Sequence, residues 1–460
     1  MNILHYALGF PPFRTGGMIK YCMDLMAEEA KLKNWVGLLW PGRITNYSEK
    51  VKIINKSQYA IDDKIKIGSF EIINPLPVPL LNGINDFEAY MQPKMIDNFE
   101  RFFIANQVDI FHVHTLMGLP KEVLDVCVRL NIKTVFTTHD YFGICPKWSL
   151  EKQGSPCLDD KGCESCIECN KTALSLRKIK FMQSGAYRYL KDTPIMKSMR
   201  RMHNNKLYKE DYGSEAEDFY SDDLKKNLSK SYRELRRYYT DMIESFNMIH
   251  CNSSNTSKIY KRYCNISNTV KVLNISHSAI KDFRQLRNCQ RPVRFGYLGP
   301  ITQHKGYFFI KQVFDELSDI RSNSFQLHIF AECTDEANYL IKHPVYDYSE
   351  LKNVMGEFDI LLVPSLWNET FGFTALEALS YGMPAIVTEN VGAKDLIVPK
   401  MNGDIVPPDI ASMKSAVLEI IDNPENINRM SKYILQNIEI QDMSKHTSRI
   451  IELYTQEGTI

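Results

Sequence analysis

The chain has 460 residues, 44% hydrophobic and 24% charged, which excludes disordered, collagen-like and coiled-coil classes and a peptide-sized module. At roughly 150 residues per domain this length predicts two or three domains, each able to bury its own core. With 56 Lys or Arg against 55 Asp or Glu, no global field steers the protein to nucleic acid, and none is expected as a partner.

The first ten residues carry no Lys or Arg and run into patterned sequence, unlike a secretory signal. No apolar stretch approaches the ~20 residues that span a bilayer. Eleven cysteines, an odd count, argue against a disulfide framework. A cytoplasmic location is therefore expected.

Short apolar runs alternate with amphipathic stretches along the chain, which predicts α/β organisation with parallel sheets covered by helices. The clearest strands are expected at 3–8, 36–39, 110–114, 134–138, 294–298, 326–330, 360–363 and 385–388. The stretch 18–31 predicts a helix, with Ile19, Cys22, Leu25 and Met26 on one face. Two strand–loop–helix units have nucleotide-binding character: the first strand followed by Gly16-Gly17, and the strand at 294–298 followed by Gly299 and Lys305-Gly306. A polar linker at 276–292 separates them. The domains expected are 1–285, 286–435, and a closing helical piece, 436–460.

Residues 145–246 break this pattern. They show no convincing buried strand, carry five of the eleven cysteines, and are blocked in charge. Residues 171–209 hold eleven Lys or Arg and one acid, and 210–223 hold seven acids and no base. An insertion in the first domain is expected here.

The segment from Asp359 to Pro384 is the most informative. A buried strand ends at Pro364-Ser365, a loop carries Glu369, and a helical pattern runs from Gly372 to Gly382 with Glu377 inside it. Active sites of open α/β sheets lie at such strand ends. Free backbone N–H groups of Gly372, Phe373 and Thr374 at a helix N-terminus suit a phosphate. Glu369 and Glu377 are eight positions apart, about 12 Å if helical throughout, wider than the roughly 5–9.5 Å of a glycosidase pair. That spacing favours two grips on one long ligand.

In this context of Pro-Ser, Glu-Thr-Phe-Gly and Gly-x-Pro, the sequence resembles glycosyltransferase family 4, retaining enzymes of the GT-B fold whose hallmark is a Glu, seven residues, then Glu. The resemblance extends to the glycine loop Gly16-Gly17, to 109–114 and 137–140 as cleft-facing strand ends, to Ser253, to Lys305-Gly306, and to Gly392-Ala-Lys-Asp395. It implies two Rossmann-like domains with a central cleft, a nucleotide-diphosphate sugar as donor, and no required cofactor. It also implies that Glu377 holds the ribose, Glu369 the donor-sugar hydroxyls and Lys305 the departing diphosphate. His139 would lie near the donor sugar, and Gly16, Gly17, Phe371, Gly372, Phe373 and Thr374 would line the donor cradle. The family often has an Arg shortly before the Lys; here the loop has Pro300 and no Arg. No Asp-x-Asp occurs, so a metal-bridged diphosphate of that kind is not indicated.

The function implied is transfer to a glycan or polyprenyl-linked acceptor in cell-surface polysaccharide biosynthesis. The alternatives are a catalytically silent sugar-nucleotide-binding subunit and a GT-B epimerase-like enzyme. Cys157, Cys163, Cys166 and Cys169 suit a structural zinc site, and equally unmetallated thiols; their spacing also overlaps iron–sulfur runs. Residues 171–209 interleave aromatic and apolar residues with cations, as a peripheral membrane segment or a solvated helix pair would.

Overall fold

A computed structural model describes residues 1–456 except 46–47, 80–82, 153, 158, 160–161, 192, 195, 197, 199–220 and 290. The acidic block and the end of the basic block thus lie largely outside the described residues. Two sheets organise the rest. The first is built from β1 (Asn2–Tyr6), β2 (Trp35–Pro41), β3 (Lys52–Ala60), β4 (Lys66–Ile73), β5 (Ile110–Val113), β6 (Lys133–Thr138), β9 (Met248–Cys251) and β10 (Val270–Val272), in the order β10-β9-β6-β5-β1-β2-β4-β3. All neighbours are parallel except β3 and β4. Its central strands β5 and β9 are wholly buried, as continuous apolar runs in a helix-covered parallel sheet must be. Edge strand β3 is largely exposed and polar, which discourages pairing with another chain.

The second sheet contains β11 (Val293–Tyr297), β12 (Phe325–Phe330), β13 (Leu340–His343), β14 (Ile360–Val363), β15 (Ala385–Thr388) and β16 (Gly403–Val406). Every neighbour is parallel, in the order β13-β12-β11-β14-β15-β16. Counted from its own first strand this is 3-2-1-4-5-6, the doubly wound order of dinucleotide-binding folds. Its switch point falls between β11 and β14, so the loops leaving these two strands face one crevice.

All eight expected strands form, most of them displaced by one or two residues at an end. The structure adds β3, β4, β9, β10, β13 and β16. Between β6 and β9 the described chain is helical apart from the two-residue strands β7 (Glu151–Lys152) and β8 (Ser155–Pro156). The 23-residue helix Asp222–Glu244 docks that segment on the first domain through buried Leu235, Tyr239, Met242 and Ile243. No described helix is long and apolar enough to cross a membrane.

The last helix, Met443–Thr455, returns to the first helix, Gly17–Lys31. Tyr454 Oη donates to Glu29 Oε1 at 2.8 Å, and Tyr21 Oη lies 2.8 Å from His446 Nε2. The ends of the chain are thereby clamped together across about 425 positions.

Candidate active site

The site begins at the β11–β14 switch point. The loop after β11 turns at Gly306, whose φ of +81° lies in the left-handed region. A Cβ there would sit 1.9 Å from the Pro364 carbonyl, so only glycine lets the two loops touch. That contact sets Lys305 beside the loop after β14. Lys305 Nζ pairs with Glu369 Oε1 at 2.6 Å and lies 5.4 Å from the Trp367 ring centroid. Ser365 Oγ donates to Glu369 Oε2 at 2.5 Å. Burial would raise the Glu369 carboxyl, but the Lys305 ammonium and the Ser365 hydroxyl hold it below its ordinary value. The site thus presents a fixed, ionised pair.

The helix Phe373–Ser380 starts three residues after Thr370. Its cap, Gly372, has φ +93°, which leaves the first backbone N–H groups open for an anion. Facing it is the start of the first helix: a Cβ on Gly17 would meet the Phe373 ring at 3.6 Å, while one on Gly16 would meet nothing within 4 Å. Two helix N-termini therefore approach each other, with open space beside Gly16. Their dipoles favour negative charge between them, by about 0.3–1 kcal/mol per contact. Phe371 is buried, its ring 5.5 Å from that of Phe373.

Glu377, one turn further, is only 3% exposed. Its Oε1 accepts from the Tyr348 hydroxyl and lies 3.1 Å from His277 Nε2. His277 belongs to the stretch expected to be a polar linker, yet it and Ser276 are buried. Neither His277 nor Tyr348 carries a sequence signal: His277 lies in a loop, Tyr348 opens a single 3-10 turn, and each acquires its role only by contact with Glu377.

His139 comes from the other domain. Its carbonyl accepts from Thr370 Oγ1 at 3.1 Å, and Ser253 Oγ donates to the Thr370 carbonyl at 2.7 Å. The loop carrying Glu369 is thus tied to the ends of β6 and β9. Ser254 N donates to Asp395 Oδ2 at 2.6 Å across the same cleft. His139 also ends a buried chain: its Nε2 lies 3.2 Å from His114 Nδ1, His114 Nε2 lies 2.9 Å from His5 Nδ1, and His5 Nε2 lies 2.6 Å from Glu29 Oε2. With Glu29 accepting from His5 Nε2 and from the Tyr454 hydroxyl, each ring in turn donates its Nε2–H inward, which makes Nδ1 of His139 the acceptor end of the chain.

The loop preceding Lys305 meets the segment 145–246. A Cβ on Gly154 would collide with Gln303 at 2.4 Å, and the Trp148 ring stands 6.3 Å from Trp367, which in turn lies 5.5 Å from His304. Where the resembling family often has an Arg, this chain sets rings edge to face. Of the four cysteines weighed either as a zinc set or as unmetallated thiols, Cys163 and Cys166 hydrogen-bond one another, and Cys157 lies close enough to act electrostatically on Cys169. Cys163 and Cys166 pack with Tyr232, and Arg236 donates to Cys166 Sγ at 3.7 Å. Among the described residues, sets of three ligand atoms within 4.8 Å of one another include none of Cys157, Cys163, Cys166 or Cys169. A tetrahedral site needs all four together, so the donor set does not fit zinc as it stands.

Comparison with known proteins agrees with this architecture. Residues 279–436 match the family described as Glycosyl transferases group 1. An uncharacterized 41.2 kDa protein in a cps region of Klebsiella pneumoniae is 29% identical over 132 residues, which are 28% of this chain and 35% of that relative. The match therefore spans about a third of the curated relative's length. Among solved structures, sucrose-phosphate synthase from Thermosynechococcus elongatus superposes with a TM-score of 0.56 at 13% identity, over 98% of both chains. Anabaena HepE in complex with UDP and glucose gives a TM-score of 0.53 at 12% identity, over 99% of this chain and 100% of that one. The fold is the two-domain GT-B fold.

Proposed function

We propose that this GT-B protein, whose second domain matches glycosyl transferases group 1, is a retaining glycosyltransferase that moves a sugar from a nucleotide diphosphate donor to a glycan or lipid-linked acceptor. The observation that carries the reading is the Lys305–Glu369 pair at the switch point, set before one helix N-terminus and opposite another. A diphosphate fits between those N-termini. As it enters, its oxygens replace the Glu369 carboxylate on Lys305, and Glu369 is released to accept hydrogen bonds from the donor-sugar hydroxyls. Glu377 takes the ribose hydroxyls, exchanging them for the Tyr348 hydroxyl.

When the bond from C1 to the diphosphate oxygen breaks, its electron pair stays on the diphosphate. Lys305 and the N–H groups of Gly372–Thr374 meet that charge where it grows, so their contribution is larger in the transition state than in the ground state. The acceptor hydroxyl oxygen then bonds to C1, and its proton passes to the diphosphate oxygen that has taken the electron pair. His139 is held beside the Glu369 loop by its contact with His114 and by its carbonyl, which accepts from Thr370. This assignment needs no metal bridge, because the cationic partner of the diphosphate is supplied by the chain itself. Retention rests on the family resemblance, and a place in polysaccharide assembly on the likeness to the cps-region protein.

Thermal denaturation with a panel of UDP-, GDP-, ADP- and dTDP-sugars checks the reading. One donor is expected to raise Tm, since a ligand at 100 times its Kd adds about 2.7 kcal/mol. That donor should then be consumed only with an acceptor present. Consumption without acceptor would mean an epimerase-like reaction, binding without turnover a silent subunit, and no response to any donor would defeat the proposal.

A further inference from the structure

Just ahead of Gly16-Gly17 in the chain, Phe10, Phe13 and Arg14 form part of a cavity of about 600 Å³, within the size range of small-molecule sites. Its walls are aromatic: Phe10, Phe13, Trp40, Tyr59 and Tyr187. Four cations line it, Arg14, Lys56, Arg188 and Lys191, and among the described residues no Asp or Glu does. Beneath it, fully buried Glu71 receives three cations at once, Arg43 at 3.1 Å, Lys56 at 3.0 Å and Arg188 at 3.0 Å. One carboxylate cannot neutralise three, so the floor remains positive. Arg14 has no carboxylate partner among the described residues, and burial disfavours its charge. An anion in the cavity would compensate both.

The cavity is built, not incidental. The Phe10 ring lies 4.3 Å from that of Tyr59, tilted by 46°, and the Arg188 guanidinium lies 5.2 Å from the Trp40 ring. The wall from Met182 to Lys191 comes from the segment between β6 and β9. It is pinned by Val78 N donating to Gln183 Oε1 at 2.8 Å and Ile44 N to the Gln183 carbonyl at 3.1 Å. Arg14 lies three residues from Gly17, at most about 11 Å along the chain. The cavity wall and the cradle in which the donor is proposed to lie are therefore neighbours along the chain.

We propose that this cavity is the acceptor subsite and that it takes a glycan bearing an anionic group, a uronate carboxylate or a phosphate ester. This rests on the transferase reading and gives its acceptor a chemical class. The planar guanidinium of Arg14 matches either anion with two parallel N–H donors, and the aromatic walls supply flat apolar surface for the sugar ring. Sugar rings alone would need no such charge, and an alkyl chain alone would leave the half-buried Arg14 guanidinium and the surplus charge around Glu71 uncompensated.

Calorimetric titration of the whole protein with oligosaccharides of matched length, neutral, uronate-bearing or phosphorylated, tests this. At least one acidic class is expected to bind about tenfold or more tighter than its neutral counterpart, and the arm that responds identifies the anion. Arg14→Gln should remove the preference, and Lys191→Gln at the rim should reduce it, with the thermal response to the donor retained in both. Equal binding of neutral and acidic members, no binding of either, or a preference that survives both substitutions would overturn the proposal. An acidic preference in a protein that responds to no sugar nucleotide would leave the cavity assigned and sink the transferase reading instead.

Discussion

Lys305→Ala is expected to lower kcat/KM for transfer by about 10²–10³-fold, the usual cost of removing one preorganised donor from a charge that develops in the transition state. The fall should lie mainly in kcat, because Lys305 gains most as the diphosphate departs. Stability would move as well. The substitution leaves the Glu369 carboxylate without its cation, but with the two side chains 26% and 15% exposed, water screens part of that loss. A cost of about 1–3 kcal/mol, below the 3–5 of a fully buried pair, is expected. The double variant Lys305→Ala, Glu369→Gln separates the effects: it should recover the stability and none of the activity. If Lys305→Ala keeps wild-type kcat/KM with the donor found by thermal shift, Lys305 does not meet the leaving group. Lysine to arginine should rescue in part, since the charge is kept and its position altered.

The pair itself could not be read from the sequence, although both members could. Glu369 and Glu377 stand out because a buried strand, a Pro-Ser end, a glycine and a helical pattern follow one another within some twenty residues, all local signals. Lys305 is 64 positions from Glu369, and only the strand order places the two loops at one switch point. Strands β14 and β15 were legible to the residue because each is an unbroken apolar run. Strand β3 was not, because as an exposed antiparallel edge it is mostly polar. The partners of Glu377 show the same limit: His277 lies 100 positions away and Tyr348 lies 29 away. Cysteine spacing was the opposite case. A local pattern suited a ligand set and unmetallated thiols equally, and the turn at Cys163 with the helix Glu164–Cys169 packs Cys163 and Cys166 against Tyr232.

Acidification is expected to unfold this protein between pH 6.5 and about 4, well above the range in which carboxylate protonation alone would act. Burial, reinforced for His112, His114 and His139 by neighbouring histidines, holds His112, His114 and His446 well below the ordinary imidazole value, His139 at about 3 and His250 at about 4. In the unfolded chain each titrates near 6.5. Below that pH the unfolded state binds more protons than the native state, so stability is fully present above about 6.5 and is lost as pH falls toward the folded values. Each histidine contributes up to about 1.4 kcal/mol per pH unit, and five together approach the 5–15 kcal/mol that a whole domain possesses. Asp140 opposes them with a single proton, since burial pushes its carboxyl up to about 6. The histidines are also where the chain closes on itself: His446 meets Tyr21, and His112 Nδ1 lies 2.7 Å from the Tyr454 hydroxyl that donates to Glu29. A proton forced into this cluster therefore works against the docking of the last helix, and with it the alignment of the two domains over the cleft. Urea unfolding at pH 7.5, 6.5, 5.5 and 4.5 should show a midpoint that is flat over the first step and falls steeply over the next two. A midpoint unchanged down to pH 5 would mean that the native cluster accepts protons readily and is not sealed as the structure shows.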